Sequence, residues 1–424
     1  MVTLATKAPL EDEVNAFFLH DPRLMNDPWP LYERLRVEAP VYRHADKLLV
    51  SRWSDARAVL VAPATLQGLA AKGTRFRNAT ARLDDEHRIE LAEMFGFLEK
   101  RLGGANGDRH TRLRALAQKA FTPKMIATME QRITDVAESL LEPLLGRDRI
   151  DVIEEFAYHL PLIVISEMLD IPTEDRENLR TWANDLGQFV GANWDSPAED
   201  ERGHAAVFNL RSYLSAVFES RRGESTTDLL GGLLAAEGDG GDRFTEDELV
   251  AMITQFVFAG HETTTNTIGN GLVTLLRDHR DQWDLLRDDP SLIPGAVEEV
   301  LRYSPPTHNI EKLVGADGEL GGVPVQRYDS LSVMLAAANR DPEVFANADR
   351  FDVRRAPNPH LTFGFGAHHC IGAALARMEA QVAFRLFVRR FPDMRLESEM
   401  VEWRPNHMLR GPERLPIVLG LTRR

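Results

Sequence analysis

The stretch Phe363-Gly364-Phe365-Gly366-Ala367-His368-His369-Cys370-Ile371-Gly372 contains the only cysteine of a chain of 424 residues. Glycines surround this cysteine, and glycine permits positive φ angles and close approach of another group to the backbone. Apolar residues recur at helical spacing immediately afterwards, which predicts a helix over Ala373–Arg390. Cys370 therefore lies near a helix N-terminus, where free N–H groups and the helix dipole favour a thiolate over a thiol.

A single cysteine is more often a small buried apolar residue than a reactive group, so the residues around Cys370 must decide its role. A lone thiolate on a glycine-rich loop suits an axial ligand of haem iron, and thiolate ligation promotes O–O bond cleavage. Phe363, Gly366, Cys370 and Gly372 form Phe-x-x-Gly-x-x-x-Cys-x-Gly, which resembles the haem-binding signature of the cytochrome P450 superfamily. The wider run over residues 360–379 is similar to the soluble bacterial class of that superfamily.

The resemblance implies that haem b (iron protoporphyrin IX) is the cofactor and that Cys370 ligates its iron. It assigns further haem contacts to the same stretch, at Phe363, Gly364, His368 and Gly372. For the whole chain it implies one cytochrome P450 domain over residues 1–424, mainly α with a minor β region. A short N-terminal extension is expected over about residues 1–20.

Composition narrows the class and location of the protein. The chain has 50 basic and 65 acidic residues and a net charge of −15, which argues against binding to nucleic acid. A single cysteine excludes an intramolecular disulfide and fits a reducing cytosol, so a cytoplasmic protein is expected. Residues 1–13 lack the apolar core of a signal peptide. No apolar run reaches the roughly 18 residues that span a bilayer, so no membrane association is expected.

The pattern along the chain is mostly helical. Thr245 and Glu248 form a capping box, and the helix that they open is predicted to run to about Asp278. The charged segment 65–108 is predicted as a long loop with helical pieces, of the kind that often covers a binding site. Short strands are predicted at residues 41–43, 47–52, 311–314, 323–325 and 331–335.

The long helix contains Ala259-Gly260-His261-Glu262-Thr263-Thr264. A threonine hydroxyl can donate to the carbonyl four residues earlier, here Ala259, and so open the helix. Glu262 and Thr263 then provide an acid and an alcohol that can relay protons. From this segment alone, a helix crossing that needs small residues explains the pattern equally well, and Thr265 excludes the His-Glu-x-x-His zinc motif.

The segment resembles the oxygen-activating helix of the cytochrome P450 superfamily. That resemblance implies catalytic roles for Glu262 and Thr263, and contacts of Ala259 and Gly260 with the cofactor.

Several cationic residues are candidates for binding the haem propionates. His110 and Arg114 lie four residues apart on one face of a predicted helix, and an arginine can hold a carboxylate with two donors. Taken singly, each is more often a solvated surface residue. The resemblance assigns them, with His368, to the propionates. Many bacterial relatives carry an arginine at the position of Lys312, and lysine keeps the charge but loses the planar fork.

Glu299 and Arg302 are three residues apart on one helical face, where an exposed pair contributes only about 0–1 kcal/mol. The pair resembles the buried Glu-x-x-Arg of the superfamily, which implies a structural role under the cysteine loop. The family's third partner, an arginine, is assigned to Arg350.

The resemblance also suggests a substrate pocket, roofed by segments 65–108 and 186–208. Its candidate residues are Val257, Phe258, Ala259, Asn309, Ile310, Met408 and Leu409. Acidic residues crowd the first roof segment, at Asp84, Asp85, Glu86, Glu90 and Glu93. They suggest a cationic substrate such as an amino sugar, although a solvated acidic face is the more common meaning of such a cluster.

The implied function is a haem-thiolate monooxygenase that hydroxylates or epoxidises a small, largely apolar molecule, such as a specialised metabolite. Its electrons are expected from a ferredoxin and a ferredoxin reductase that meet a basic face near Cys370. The candidates for that face are Arg109, Arg112, Lys119, Lys124 and Arg377. Three alternatives stay open: peroxide-driven or oxidative coupling chemistry on the same scaffold, a haem-based sensor, and a helical scaffold without a cofactor.

Overall fold

The computed structural model describes residues 8–45, 47–67, 80–81, 84–191, 197–221 and 228–420. Within these ranges the chain is mainly helical with small β-sheets, as the sequence predicts. The helices are α1 Leu10–Phe18, α2 Pro22–Asn26, α3 Trp29–Glu38, α4 Trp53–Val61, α5 Asp85–Leu98, α6 Gly107–Ala120, α7 Pro123–Leu141, α8 His159–Met168, α9 Arg176–Gly191, α10 Pro197–Ser220, α11 Leu229–Ala235, α12 Glu246–Val273, α13 Arg280–Asp288, α14 Ile293–Tyr303, α15 Leu335–Ala338 and α16 Ala373–Arg390.

The strands form one larger sheet and three small ones. They are β1 Val41–His44, β2 Lys47–Val50, β3 Thr65–Gln67, β4 Arg149–Asp151, β5 Ile310–Val314, β6 Gly318–Leu320, β7 Val323–Val325, β8 Ser330–Val333, β9 Arg395–Leu396, β10 Glu402–Trp403, β11 Pro412–Arg414 and β12 Pro416–Val418. The larger sheet has the order β1-β2-β8-β5-β3, and only its β2–β8 pairing is parallel. The predicted hairpin and the three predicted strands correspond to β1, β2, β5, β7 and β8, although Leu335 belongs to α15 rather than to a strand.

Helix α12 is the centre of the fold, and its capping box is confirmed. The Thr245 hydroxyl accepts from the Glu248 N–H at 3.2 Å, and the Glu248 carboxylate accepts from the Thr245 N–H at 3.1 Å. The helix continues as a π-turn over Thr274–Asp278, so its predicted end is confirmed as well. Most of its residues are buried because α8, α10 and α16 pack around it.

The long loop with helical pieces predicted over residues 65–108 is more regular than expected in the part that the structure describes, because α5 occupies Asp85–Leu98. Asp84 caps α5 by accepting from the His87 N–H, and the helix buries Leu91, Phe95 and Leu98. These residues recur at spacings of four and three, which is the helical pattern that the many charges concealed. Residues 68–79 and 82–83 of the predicted roof lie outside the described ranges, as do residues 192–196 of the second roof segment.

The predicted N-terminal extension is not a loose appendage where the structure describes it. Val14 and Phe17 of α1 are buried, and they pack in one cluster with Tyr32 and Met334. Burial of these apolar side chains attaches α1 to the larger sheet and to α3.

Candidate active site

The cysteine loop is held by its own backbone and by two glycines with positive φ. The Cys370 N–H donates to the Phe363 carbonyl at 2.8 Å, which closes the loop. Gly364 has φ 70° and Gly366 has φ 73°, a region that side chains with a Cβ rarely adopt. Gly372 then precedes α16, as the sequence predicts.

A polar network fixes the start of the loop from behind. The Thr362 hydroxyl donates to the Leu301 carbonyl at 2.5 Å, and it accepts from the Asn339 amide at 2.8 Å. The same Asn339 side chain accepts from the Leu361 N–H at 2.7 Å. All of these groups are buried, so each hydrogen bond is protected from competition by water.

Beneath this network lies the buried carboxylate of Glu299. Both of its oxygens accept from Arg302, at 2.8 Å each, and neither side chain is exposed. The Arg355 Nε also lies 3.0 Å from this carboxylate, and the Arg355 side chain is only 10% exposed. The assignment of the third partner to Arg350 is therefore wrong. Arg350 is exposed and gives the network only its backbone carbonyl, because Arg355 returns to the core from the following turn.

A cavity of about 330 Å³ separates the cysteine loop from α12. All of the predicted catalytic and cofactor-binding residues except Glu262 line it: His110, Arg114, Ala259, Gly260, Thr263, Phe363, Gly364, His368, Cys370 and Gly372. Cys370 is exposed, but to this internal space. A more open cleft of about 860 Å³ is lined by charged residues such as Arg147 and Glu155, which pair with each other, and it contains none of the predicted site residues.

Helix α12 presents an open surface to the cavity. The Thr263 hydroxyl donates to the Ala259 carbonyl at 2.7 Å, which is the hydrogen bond that the sequence suggests. The helix continues through this point without a break. A Cβ added to Gly260 would meet no atom within 4 Å, so the space beside this residue is free.

Glu262, the predicted relay acid, does not face the cavity. Glu262 is not among the residues that line the cavity, and its carboxylate lies 3.5 Å from the Arg404 guanidinium. Burial raises the pKa of Glu262, and Arg404 lowers it. The neighbouring His261 contacts the Tyr158 carbonyl at 3.2 Å, and burial lowers its pKa to about 3. Of the predicted acid–alcohol pair, only Thr263 therefore faces the cavity.

Sequence reasoning gave no role to Glu379, although it belongs to the run that carries the resemblance. Its carboxyl group lines the cavity, is 2% exposed, and interacts with the Thr264 hydroxyl. Burial raises the pKa of Glu379 to about 8, and the contact with Thr264 lowers it by less. The sequence offers one sign of this role: Glu379 is an acid on the apolar face of the predicted helix Ala373–Arg390.

Several other cavity residues were missed, among them Gln255 and Phe256. The Gln255 side chain accepts from the Gly103 N–H at 2.9 Å and so joins α12 to the turn over Leu102–Gly104. Gln255 could have been predicted as a site residue because it is a polar residue within an apolar helical run.

Of the predicted substrate residues, Ile310 and Ala259 line the cavity. Val257 and Phe258 do not, because they pack into the helical core. Asn309 is fully buried and donates to the His407 carbonyl, and Met408 and Leu409 are held by Asn406 in the same loop. The placement of these five residues in the pocket wall is therefore corrected. The described acidic residues of the roof, from Asp84 to Glu93, lie on the exposed face of α5, which is the solvated arrangement.

Comparison with known proteins decides the family. A family model described as Cytochrome P450 matches residues 87–285 and 286–412. The chain belongs to the cytochrome P450 family. It is 38% identical over 402 residues to the cytochrome P450 monooxygenase PikC of Streptomyces venezuelae, covering 92% of this chain and 91% of that protein. It is 37% identical to the vitamin D(3) 25-hydroxylase of Pseudonocardia autotrophica, covering 93% and 94% of the two chains.

The fold of this P450 also matches solved structures. The cytochrome P450 PksS of the bacillaene polyketide synthase of Bacillus subtilis superimposes with a TM-score of 0.84 at 31% identity, over 95% of this chain and 99% of that one. The relatives named include a monooxygenase and a hydroxylase, so the chain is a P450 monooxygenase. They give no support to peroxide-driven chemistry, a haem sensor or a scaffold without a cofactor.

The cofactor of the P450 family is haem b, and the cavity has the donors that it requires. Cys370 could ligate the iron, and a bound metal removes the thiol proton even though burial raises the pKa of free Cys370. The rings of His110 and His368 lie 3.8 Å apart, and the buried His110 Nε2 has no partner among the described residues. Lys312 is 2% exposed beside the same cavity, and no counter-ion to it is found in the described ranges. Unpaired donors and cations at one end of a cavity fit the propionates of a haem.

The predicted electron-donor face is largely neutralised. Arg112 pairs with Glu248 and Asp242, Lys119 donates to a backbone carbonyl, and Arg377 pairs with Glu298. Of the five candidates, Lys124 is exposed with no bond found in the described part of the chain. No helix among the described residues is both long and apolar enough to cross a membrane.

Proposed function

We propose that this P450 oxidises a largely apolar specialised metabolite by hydroxylation or epoxidation, with Cys370 as the ligand of the haem iron. The observation that carries the proposal is the single cavity that joins Cys370 to Gly260 and Thr263. When bound there, haem b supplies oxygen activation and transfer of one oxygen atom to the substrate. The chain is proposed to form one domain.

The residues around the cavity suggest the chemistry of the substrate. Leu60, Leu102, Phe256 and Ile310 offer apolar surface, and the amides of Gln67 and Gln255 offer hydrogen bonds without charge. The titratable groups at the cavity are Cys370, Glu379, His369 and the four basic residues of the propionate end, His110, Arg114, Lys312 and His368. A neutral, mainly hydrocarbon molecule with a few oxygen atoms fits this lining. PksS is named for a polyketide synthase, and the vitamin D(3) hydroxylase for a sterol-like substrate.

Thr263 is proposed to hold and pass the proton that oxygen activation consumes. Its hydroxyl donates to the Ala259 carbonyl, so its oxygen lone pairs stay free to accept a hydrogen bond in the cavity. Glu262 is proposed to supply protons to this position from the Arg404 side. Because the Glu262 carboxylate lies at Arg404 rather than in the cavity, its delivery requires a rotation of the side chain or a bridging water.

The electron donors are proposed to be a ferredoxin and a ferredoxin reductase, in the cytoplasm. The exposed Phe365 and the Arg57 guanidinium, 4.6 Å from its ring, lie at the cysteine loop and offer a contact for an acidic partner. We expect no turnover with NADPH alone, and turnover once both proteins are added. Product formation with NADPH and no added protein would contradict this assignment.

The substrate class is tested by titrating the haem-loaded ferric protein with a macrolactone, a sterol or a short-chain amine. The macrolactone and the sterol carry no amino group, and the haem absorption is recorded at each addition. Displacement of iron-bound water shifts the haem absorption. The macrolactone or sterol is expected to produce the shift, and product formed under labelled dioxygen is expected to carry one labelled oxygen atom. A response to the amine alone, through the same water displacement, would overturn the apolar class.

A further inference from the structure

Arg377 is a cation that the structure fixes beside the cysteine loop. It lies on α16, seven residues after Cys370. Its Nε is 2.6 Å from one oxygen of Glu298 and its Nη2 is 3.0 Å from the other. Glu298 also contacts the His360 Nε2 at 3.1 Å. This two-point pair holds the planar guanidinium in one orientation.

The guanidinium lies over the ring of Phe363, with its central carbon 4.4 Å from the ring centroid. This distance is within the range of a cation–π interaction, which is stronger where water is partly excluded. The Phe363 carbonyl accepts the N–H of Cys370 at 2.8 Å. Arg377 therefore contacts the residue that closes the backbone around the cysteine.

Arg377 also acts on the sulfur through its charge. Its guanidinium is held on Phe363, whose carbonyl accepts from the Cys370 N–H, so its positive charge lies beside the cysteine loop. The cations Arg114 and Arg377 differ in their neighbours. Arg114 donates to the His369 carbonyl, while Arg377 faces the carboxylate of Glu298. The positive field of Arg377 at the sulfur is therefore partly cancelled by one named residue.

We propose that Arg377 is a positioning residue that sets the reduction potential of the haem by holding Phe363 and by placing a positive charge beside the cysteine loop, with Glu298 opposing that charge. The inference rests on the proposed ligation of iron by Cys370. It replaces the role that the sequence suggested for Arg377, which was contact with the electron donor. The Nε and Nη2 of Arg377 donate to Glu298, so part of its charge is already compensated within the protein.

The two residues of the pair have opposite charges, so their removal has opposite effects. Loss of the Arg377 cation leaves the thiolate less compensated, which favours ferric over ferrous haem and lowers the potential. Loss of the Glu298 anion exposes the thiolate to the full charge of Arg377 and raises the potential. A purely structural role, in which each change only loosens the loop, would move the potential in the same direction for both variants.

The test uses the haem-loaded protein and its Arg377→Met, Arg377→Lys and Glu298→Gln variants. Glu130→Gln is the matched control, because Glu130 of α7 is exposed and pairs with Arg385, which lies on α16 as Arg377 does. The potential is measured by spectroelectrochemical titration with small dyes, so that docking of an electron donor plays no part.

At a fixed applied potential, Arg377→Met is expected to lower the ferrous-to-ferric ratio about two- to fivefold, since the pair is partly exposed and screened. Glu298→Gln is expected to raise that ratio, Arg377→Lys to lower it by less than the methionine variant, and Glu130→Gln to leave it unchanged. Shifts of equal sign in Arg377→Met and Glu298→Gln, or no shift in either, would overturn the inference.

The carbon monoxide spectrum separates this inference from the assignment on which it rests. If the wild-type protein lacks the spectrum of a thiolate-ligated haem, the proposed ligation by Cys370 fails. If that spectrum is present and the potentials do not respond as described, only the role of Arg377 and Glu298 fails.

Discussion

At position 312 this P450 has a lysine whose ammonium group is buried at the propionate end of the cavity, near His110 and His368. Burial lowers the pKa of Lys312 to about 8, and a bound carboxylate would oppose this shift by stabilising the ammonium form. The sequence reveals the lysine and its departure from the usual arginine. The missing counter-ion is visible only once the fold brings β5 against α6 and the cysteine loop.

Replacing Lys312 with methionine is expected to accelerate haem loss about tenfold or more, because a charge-assisted hydrogen bond contributes about 1.5–3 kcal/mol. The rate is measured by transfer of haem to an excess of apomyoglobin. Lys124→Met removes an exposed lysine and serves as the control. Equal rates in the wild type and in Lys312→Met would show that Lys312 does not hold the cofactor.

Thr263 is the member of the predicted acid–alcohol pair that faces the cavity. Thr263→Ala is expected to bind substrate normally, yet to lose product about tenfold or more, because positioned proton transfer contributes at least that much. The lost electrons should appear as hydrogen peroxide, measured together with NADPH consumption. Thr274→Ala is the matched control, since the Thr274 hydroxyl also donates four residues back, to Asn270, but is buried outside the cavity. Unchanged coupling of electrons to product in Thr263→Ala would refute the relay.

At the scale of elements, helical spacing predicts one ion pair of the buried Glu299 and does not predict the other. Glu299 and Arg302 are three residues apart on α14, so a helical pattern predicts their contact. Arg355 joins them from an irregular segment after the turn at Asn347–Arg350, and no periodicity describes that path. The resemblance assigned the third partner to Arg350, whereas Arg355, five residues later, makes the contact.

The two arginines give a direct comparison. Arg355→Met is expected to destabilise the protein by about 3–5 kcal/mol, because it leaves a buried carboxylate with one cationic partner fewer. Arg350→Met should change stability by less than about 0.5 kcal/mol, because only its backbone takes part. Urea unfolding followed by far-UV circular dichroism measures both. A larger loss in Arg350→Met than in Arg355→Met would contradict the structure of this network.

Helix α16 carries the buried acid Glu379, whose pKa is raised to about 8 by burial. The nearest arginines along α16 each form an ion pair with an acid of another helix: Arg377 with Glu298, Arg385 with Glu130, and Arg389 with Glu138. In the folded protein Glu379 keeps its proton as the pH rises, whereas in the unfolded chain it releases that proton near its ordinary pKa. Folding stability therefore falls between about pH 5 and pH 8 and is independent of this group above that range.

Glu379→Gln is expected to remove this decrease, about 4 kcal/mol across the range, because glutamine carries no proton to lose. The measurement is the free energy of unfolding in urea at intervals across that range, for the wild type, Glu379→Gln and the exposed control Glu130→Gln. An identical pH dependence in the wild type and in Glu379→Gln would show that Glu379 ionises normally.

For the whole molecule, the sequence was informative where a local rule applies. The capping box predicted the start of α12, and the glycine-rich stretch with its following helix predicted the cysteine loop. It was uninformative where distant segments meet. The contact of Glu262 with Arg404 depends on the C-terminal loop reaching α12, and the burial of Glu379 depends on packing of α16 against α12. Charges on the outer face of α5 concealed its apolar stripe, so that only unlocated helical pieces were predicted where α5 lies.

The central claim is that the Cys370 thiolate ligates the haem iron of this P450. Its most direct test is the absorption spectrum of the dithionite-reduced protein under carbon monoxide, for the wild type and for Cys370→Ser. The account predicts the red-displaced band of a thiolate-ligated haem in the wild type and its loss in the variant. Absence of the band from the haem-loaded wild type, or its persistence in Cys370→Ser, would contradict the account.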